Sequence, residues 1–328
     1  MRKRTHLKDI VFLAVILILV LVMLYSGLRI LESTVLRNNQ IPTEPVRSKT
    51  ITRDGVDYFP RQDITTVLIM GIDRYGVVED SHSYTNPGAA DMNMLLVFDE
   101  TNQSCTALHI NRDTMLEMPV LGIGGKEAGT YFGQLALAHT YGTGLNDSAE
   151  NTRNAVSDFL YGIRIDYYAA FHMDAIAIMN DAVDGVTVEV TEDFSAVDPT
   201  ITLGSVKLMG EQAVNFVRTR KDVGDQLNLS RMERQMEYLE GFADAFKTKR
   251  EAEPDFLLDA YEALEPYMVT DCSADTIASL FTRYAGFEIR EVLTPEGENR
   301  VGEKYMEFHV DEEKLDDLVL SLLYAPKE

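Results

Sequence analysis

Five cationic side chains crowd into one short stretch of a strongly acidic chain. Arg218, Arg220, Lys221, Arg231 and Arg234 lie between Phe216 and Gln235, while the whole protein carries a formal charge of -23. Planar guanidinium groups grip phosphate oxygens in pairs, which a lone ammonium cannot do. On a helix from about Leu229, Arg231, Arg234 and Gln235 stand at i, i+3 and i+4 and share one face. The alternative for any single arginine is a salt bridge to a neighbour such as Glu211, Asp222, Asp225 or Glu233. A concentrated set with a glutamine fits an anion site better. The acidic balance leaves no broad basic face for nucleic acid, so the ligand is a small or linear anion.

A second set of residues sits where apolar runs stop. Asp73 follows Val67–Ile72, Asp91 precedes the run at 92–98, and Asp113 follows the run at 105–110. In layered α/β folds, functional groups gather at strand ends where loops converge. Two carboxylates with few other ligands suit Mg²⁺, which keeps waters and leans on substrate phosphates. Taken singly, each aspartate could equally be a turn or cap residue. Other motifs drop out. Gly122–Lys126 fails the P-loop template, the six histidines form no metal-spaced pair, and no Gly-x-Ser-x-Gly occurs.

The elements that must hold these groups read as follows. Residues 64–72, 92–98, 105–110, 165–171 and 186–190 have the short apolar runs of strands. Residues 148–160, 174–182, 211–217 and 229–246 have helical patterns, the first with Ser148 as N-cap. Alternation of this kind predicts an α/β fold, a layered α-β-α sandwich around a central mixed β-sheet. Residues 254–287 read as mostly helical and acidic, with strands at 287–293 and 305–310 and a closing helix at 312–323. Cys105 and Cys272 are expected as buried free thiols, since two distant cysteines make no disulfide framework.

The 19 residues from Ile10 to Leu28 carry no charge. At about 1.5 Å per residue they nearly cross a hydrocarbon core of ~30 Å. Arg2, Lys3, Arg4 and Lys8 precede them, which places the N-terminus in the cytoplasm and the rest outside the cell membrane. The expected organisation is a cytoplasmic segment at 1–9, a transmembrane anchor at 10–28, and a juxtamembrane stalk at 29–62. A catalytic domain at 63–248 and an acidic, mostly helical extension at 249–328 complete it.

Several ordered motifs resemble the LytR-CpsA-Psr family over about residues 64–245. They are Val67-Leu-Ile-Met-Gly-Ile-Asp73, Ala90-Asp91-Met-Asn-Met, His109-Ile-Asn-Arg-Asp-Thr-Met115, Ala138-His-Thr-Tyr-Gly142, Asn180-Asp-Ala-Val-Asp-Gly-Val186, and the closing Arg-x-Arg with Arg-x-x-Arg-Gln. The resemblance implies a phosphotransferase that moves a glycopolymer phosphate from a polyprenyl-pyrophosphate carrier to peptidoglycan. It implies Mg²⁺ on Asp73 and Asp91, and Arg112, Arg218, Arg220, Arg231 and Gln235 on the pyrophosphate. Asp225, or else Asp113, is the candidate proton acceptor. Three positions depart from the family pattern: Ala90 for a common serine, Gln134 for a common lysine, and Asn228 for a common aspartate. A lipid-binding module without turnover, or a pyrophosphatase on the same lipid, are the rival readings.

Overall fold

The computed structural model describes residues 50–327 apart from 220, 221, 225–227, 254, 255, 274, 275, 277, 278, 281, 282, 285 and 304. The span expected at 10–28 lies outside the described residues. Among the described residues, no helix is long and apolar enough to cross a membrane.

In chain order the strands are β1 (Ile51–Arg53), β2 (Val56–Pro60), β3 (Ile64–Ile72), β4 (Ala90–Asp99), β5 (Ser104–Ile110), β6 (Met115–Leu121), β7 (Glu127–Gln134), β8 (Tyr167–His172), β9 (Val186–Val190), β10 (Gly204–Leu208), β11 (Met268–Thr270), β12 (Glu288–Leu293), β13 (Gly297–Val301), β14 (Met306–Val310) and β15 (Tyr324–Pro326). The helices are α1 (Asn146–Phe159), α2 (Asp174–Ala182), α3 (Glu211–Arg218), α4 (Asn228–Ala252), α5 (Phe256–Leu264) and α6 (Glu312–Leu323). The described residues fall into two compact units. One takes residues 50–172, 269–272 and 286–327, the other 173–268 and 273–285.

The larger unit is built on a six-stranded sheet of order β11-β8-β3-β4-β5-β12. It is mixed: β3 runs parallel to β8 and β5 parallel to β12, while β3–β4 and β4–β5 are antiparallel. Its central strands are uninterrupted apolar runs because both of their faces are buried, with Val67, Leu68, Ile69 and Met70 all fully covered. One face packs Leu68, Met70, Leu95, Val97, Leu108 and Tyr168 against Ala155 and Val156 of α1 and Val319 and Leu323 of α6. The smaller unit pairs β9 with β10 and lays α4 on β9. Gly241 permits that approach, since a Cβ there would stand 2.2 Å from the Thr187 carbonyl oxygen.

The structure departs from the sequence expectations in four places. Residues 51–60, set down as stalk, form the β1–β2 hairpin around Asp54 and Gly55, whose φ angles of 52° and 78° suit a tight two-residue turn. The stretch 249–328, expected as a mostly helical extension, also contributes strands to the body of the fold: β11 and β12 form both edges of the central sheet, and β15 pairs with β2. Ser148 does not cap α1. The helix starts at Asn146, and buried Ser148 accepts hydrogen bonds from Asn86 Nδ2 (3.0 Å) and the Gly144 amide (2.9 Å). Finally, Cys105 is buried but Cys272 is only half-buried, both as free thiols. Burial, foremost, pushes the Cys272 thiol up to about 12.

Candidate functional site

The larger unit positions the acidic residues through a defect in its sheet. The β3–β4 ladder pairs Gly71 with Met92 but Ile72 with Ala90, so Asp91 is the extra residue of a β-bulge. Leu95 and Val97 of β4 face the apolar cluster, and unbroken alternation would send Asp91 to that same face. The bulge puts Ala90 in the cluster instead and releases the carboxylate. Beside it, the Asp73 amide donates to the Ala89 carbonyl at 2.9 Å, so Asp73 and Asp91 leave adjacent strand ends.

Arg112 meets Asp91 from the turn after β5. Asn111 builds that turn: its carbonyl accepts from the Thr114 amide (3.0 Å) and its Oδ1 from the Asp113 amide (3.0 Å). Arg112 Nη1 then stands 2.5 Å from Asp91 Oδ2, and Nε 3.4 Å from Asp113 Oδ1. Gln134 donates from Nε2 to Asp113 Oδ1 (2.7 Å) and to the Met306 carbonyl (2.8 Å). Asp91, Arg112, Asp113 and Gln134 thus form one polar row. Arg112 and both carboxylates are only partly exposed, which strengthens each pairing relative to open water.

One contributor escaped the sequence reading. His139 lies within the quoted Ala138–Gly142 motif, where it had no assigned role. Its Nδ1 pairs with the Gly88 carbonyl at 2.8 Å, and its own carbonyl accepts from Asn86 Nδ2 at 2.8 Å. Burial lowers its pKa to about 4, so the ring is neutral with the proton on Nδ1. These bonds clamp the loop that delivers Ala90 and Asp91 to the sheet.

The donor set fits Mg²⁺. Asp73 and Asp91 leave neighbouring strand ends as hard oxygen donors, the ligand chemistry that Mg²⁺ takes.

The arginines belong to the smaller unit. Arg218 ends α3 and is exposed. Arg231 lies near the start of α4. Arg220 and Asp225 lie outside the described residues. Gln235 Nε2 donates to the Val217 carbonyl at 3.0 Å, which brings the start of α4 to the end of α3. Arg234 does the structural work of the cluster. It is 5% exposed, and it donates to the carbonyls of Phe216 and Thr219 and to Glu192, with its guanidinium 5.5 Å from the centre of the Phe194 ring. A Cβ at Gly224 would meet Glu192 Oε1 at 1.9 Å, and the φ of 57° there also favours glycine. Spacing alone does not separate this buried arginine from its neighbours.

A family model described as LytR_cpsA_psr family matches residues 31–322. The chain belongs to the LytR-CpsA-Psr family. Among similar relatives of this LytR-CpsA-Psr protein is the polyisoprenyl-teichoic acid–peptidoglycan teichoic acid transferase TagU of Oceanobacillus iheyensis, 25% identical over 74% of this chain and 69% of that one. The transferase of the same name from Halalkalibacterium halodurans is 30% identical over 53% of this chain, and the match spans half (50%) of that relative's length. The crystal structure of B. subtilis TagT shares the fold with a TM-score of 0.55 at 22% identity, covering 85% of this chain and 96% of that one.

Proposed function

We propose that this chain is a membrane-anchored extracellular phosphotransferase. It moves a glycopolymer phosphate from a polyprenyl-pyrophosphate carrier onto peptidoglycan. The observation that carries the reading is the Asp91–Arg112–Asp113–Gln134 row beside Asp73, in a family whose relatives bear teichoic acid transferase names. The span at 10–28 and the layered α-β-α arrangement belong to the same reading.

The chemistry follows from charge. A sugar hydroxyl of peptidoglycan attacks the phosphorus attached to the glycan. A new P–O bond forms, the bond to the bridging oxygen breaks, and polyprenyl phosphate leaves with the electron pair. Positioning and charge stabilisation are most of what such a transfer asks of a protein. Arg112, Arg218, Arg220 and Arg231 supply guanidinium donors to the phosphate oxygens, and Gln235 supplies an amide. Mg²⁺ on Asp73 and Asp91, when bound, supplies further neutralisation of the pyrophosphate. Asp225 accepts the hydroxyl proton, with Asp113 the alternative. Arg112 also stands as a cation between Asp91 and Asp113.

The test uses the full chain with a synthetic polyprenyl-pyrophosphate glycan, Mg²⁺ and peptidoglycan oligomers, read by mass spectrometry. A glycan–phosphate–peptidoglycan conjugate that disappears in Asp91→Ala supports the transferase. Free glycan phosphate without conjugate would replace it by a pyrophosphatase, and tight lipid binding without turnover by a binding module.

A further inference from the structure

One loop joins the strand ends that carry Asp73 and Asp91, and a histidine holds each end of it. His172 Nδ1 donates to the Gly76 carbonyl at 2.8 Å, three residues after Asp73. His139 Nδ1 donates to the Gly88 carbonyl, also at 2.8 Å, three residues before Asp91. A carbonyl only accepts, so both rings carry a proton on Nδ1. The two rings reach the loop from different elements. His172 ends β8 and pairs with Ile72 in the parallel β3–β8 ladder, so it stands at the strand end from which Asp73 leaves. His139 comes from the 3-10 turn Leu135–Thr140 that follows β7. Both are buried, at 2% exposure for His139 and 9% for His172.

The ends of the loop also close on each other. A Cβ on Gly88 would stand 2.9 Å from Ile72 Cγ2 and 3.0 Å from Arg74 Cγ, so the chain entering β4 packs directly on the chain leaving β3. Asn86 fixes the same end: its amide donates to the Thr140 carbonyl at 2.9 Å, and its Oδ1 accepts from the Gly88 amide at 2.8 Å. Packing alone does not account for His139. Its Nε2 is buried without a hydrogen-bond partner, a penalty that an apolar side chain would avoid. The bond to Gly88 is the only one its ring makes among the described residues.

We infer that His139 and His172 are positioning residues: they hold the two backbone ends bearing Asp73 and Asp91 at a fixed separation, and so make the pair selective for a small cation. The inference rests on the Mg²⁺ reading above. Two ionised carboxylates on adjacent strand ends repel, and a loop released at either end would let them spread. Mg²⁺ demands a near-ideal octahedron with oxygens at about 2.0–2.1 Å, whereas Ca²⁺ accepts looser arrangements at about 2.3–2.6 Å. Carboxylates kept from spreading favour the smaller ion, and loosening them weakens that ion first. In this role neither ring touches the metal.

The full chain in neutral detergent is titrated with Mn²⁺, read by the paramagnetic resonance of the free ion, and with Mg²⁺ and Ca²⁺ by competition, all without donor. Asp91→Asn supplies the baseline. His139→Leu and His172→Leu are expected to weaken Mg²⁺ and Mn²⁺ about tenfold, and Ca²⁺ less than about threefold. His139→Asn and His172→Asn keep an N–H near the Nδ1 position and should stay within about twofold of wild type. Hydrogen exchange reads the clamp with no metal present: it should quicken over residues 86–92 in His139→Leu and over 73–77 in His172→Leu, and not in the asparagine variants. Unchanged Mg²⁺ affinity in a folded leucine variant overturns the inference. So does an equal loss of Mg²⁺ and Ca²⁺, or asparagine variants as weak as the leucine ones. Should one leucine variant fail to fold, the other decides. Equal Mn²⁺ binding by wild type and Asp91→Asn would sink the metal reading and this inference together. Intact dependence on Asp91 with no effect of either histidine would sink this inference alone.

Discussion

Replacing Arg234 by methionine separates structure from chemistry within the arginine cluster. The substitution keeps an unbranched, apolar stem and removes the guanidinium. It leaves the Glu192 carboxylate, whose side chain is 19% exposed, without its cation, and strips a donor each from the carbonyls of Phe216 and Thr219. Removing one partner of a largely buried ion pair costs about 3–5 kcal/mol. The residual exposure of Glu192 places the expected loss near the lower end, about 3 kcal/mol. Most of that is the stranded charge, so Arg234→Met combined with Glu192→Gln should recover about 1–3 kcal/mol. Urea unfolding of the full chain, followed by far-ultraviolet circular dichroism and fitted with a separate transition for each compact unit, gives these numbers. The matched control is Arg231→Ala, three residues away, which should abolish transfer while changing stability by less than about 1 kcal/mol. A loss below about 1 kcal/mol for Arg234→Met, or a double variant no more stable than the single one, would refute the structural assignment.

Two further outcomes follow from buried groups. The His139 ring binds a proton only below about 4 in the folded chain, against an ordinary value near 6.5, so the unfolded chain takes up more protons between those limits. Stability should therefore be flat above about pH 6.5 and fall by roughly 3 kcal/mol on acidification towards pH 4; His139→Asn should flatten that slope in urea midpoints taken at several pH values, and an unchanged slope would count against it. Alanine usually stabilises a helix interior by about 1 kcal/mol relative to glycine, but Gly241→Ala should lower thermal stability, because its Cβ would meet the Thr187 carbonyl at 2.2 Å.

Hydropathy carried much of the fold. The bounds of 64–72, 186–190, 174–182 and 312–323 are legible because each is a clean apolar run or helical repeat with Asp or Gly at or near one boundary: Asp73, Asp184-Gly185 and Asp311. The strands β6 and β7 were not visible. Pro119 interrupts one, Gly129 and Gly133 the other, and β7 is exposed along most of its length, so no apolar alternation announces it. The strand at 287–293 falls within the expected extension because edge strands need few apolar residues, and β11 goes unseen inside a stretch that reads as helical, yet β11 and β12 complete the sheet. At the candidate site, the strand-end positions of Asp73 and Asp91 follow from apolar runs, but the bulge does not, since a ladder slip is a property of two strands. The neutral, clamping state of His139 depends on burial that no local pattern encodes.

The bulge at Asp91 also has a meaning for how the protein can change. Because Ala90 and Met92 take the paired positions, Asp91 is the one residue of that strand end which the ladder can do without. Deleting it would make the sheet more regular, whereas inserting or deleting a residue anywhere from Asn93 to Phe98 would turn a fully buried strand inside out. The candidate site's carboxylate is thus a spare part mounted on the scaffold, and site and scaffold can be lost or altered independently.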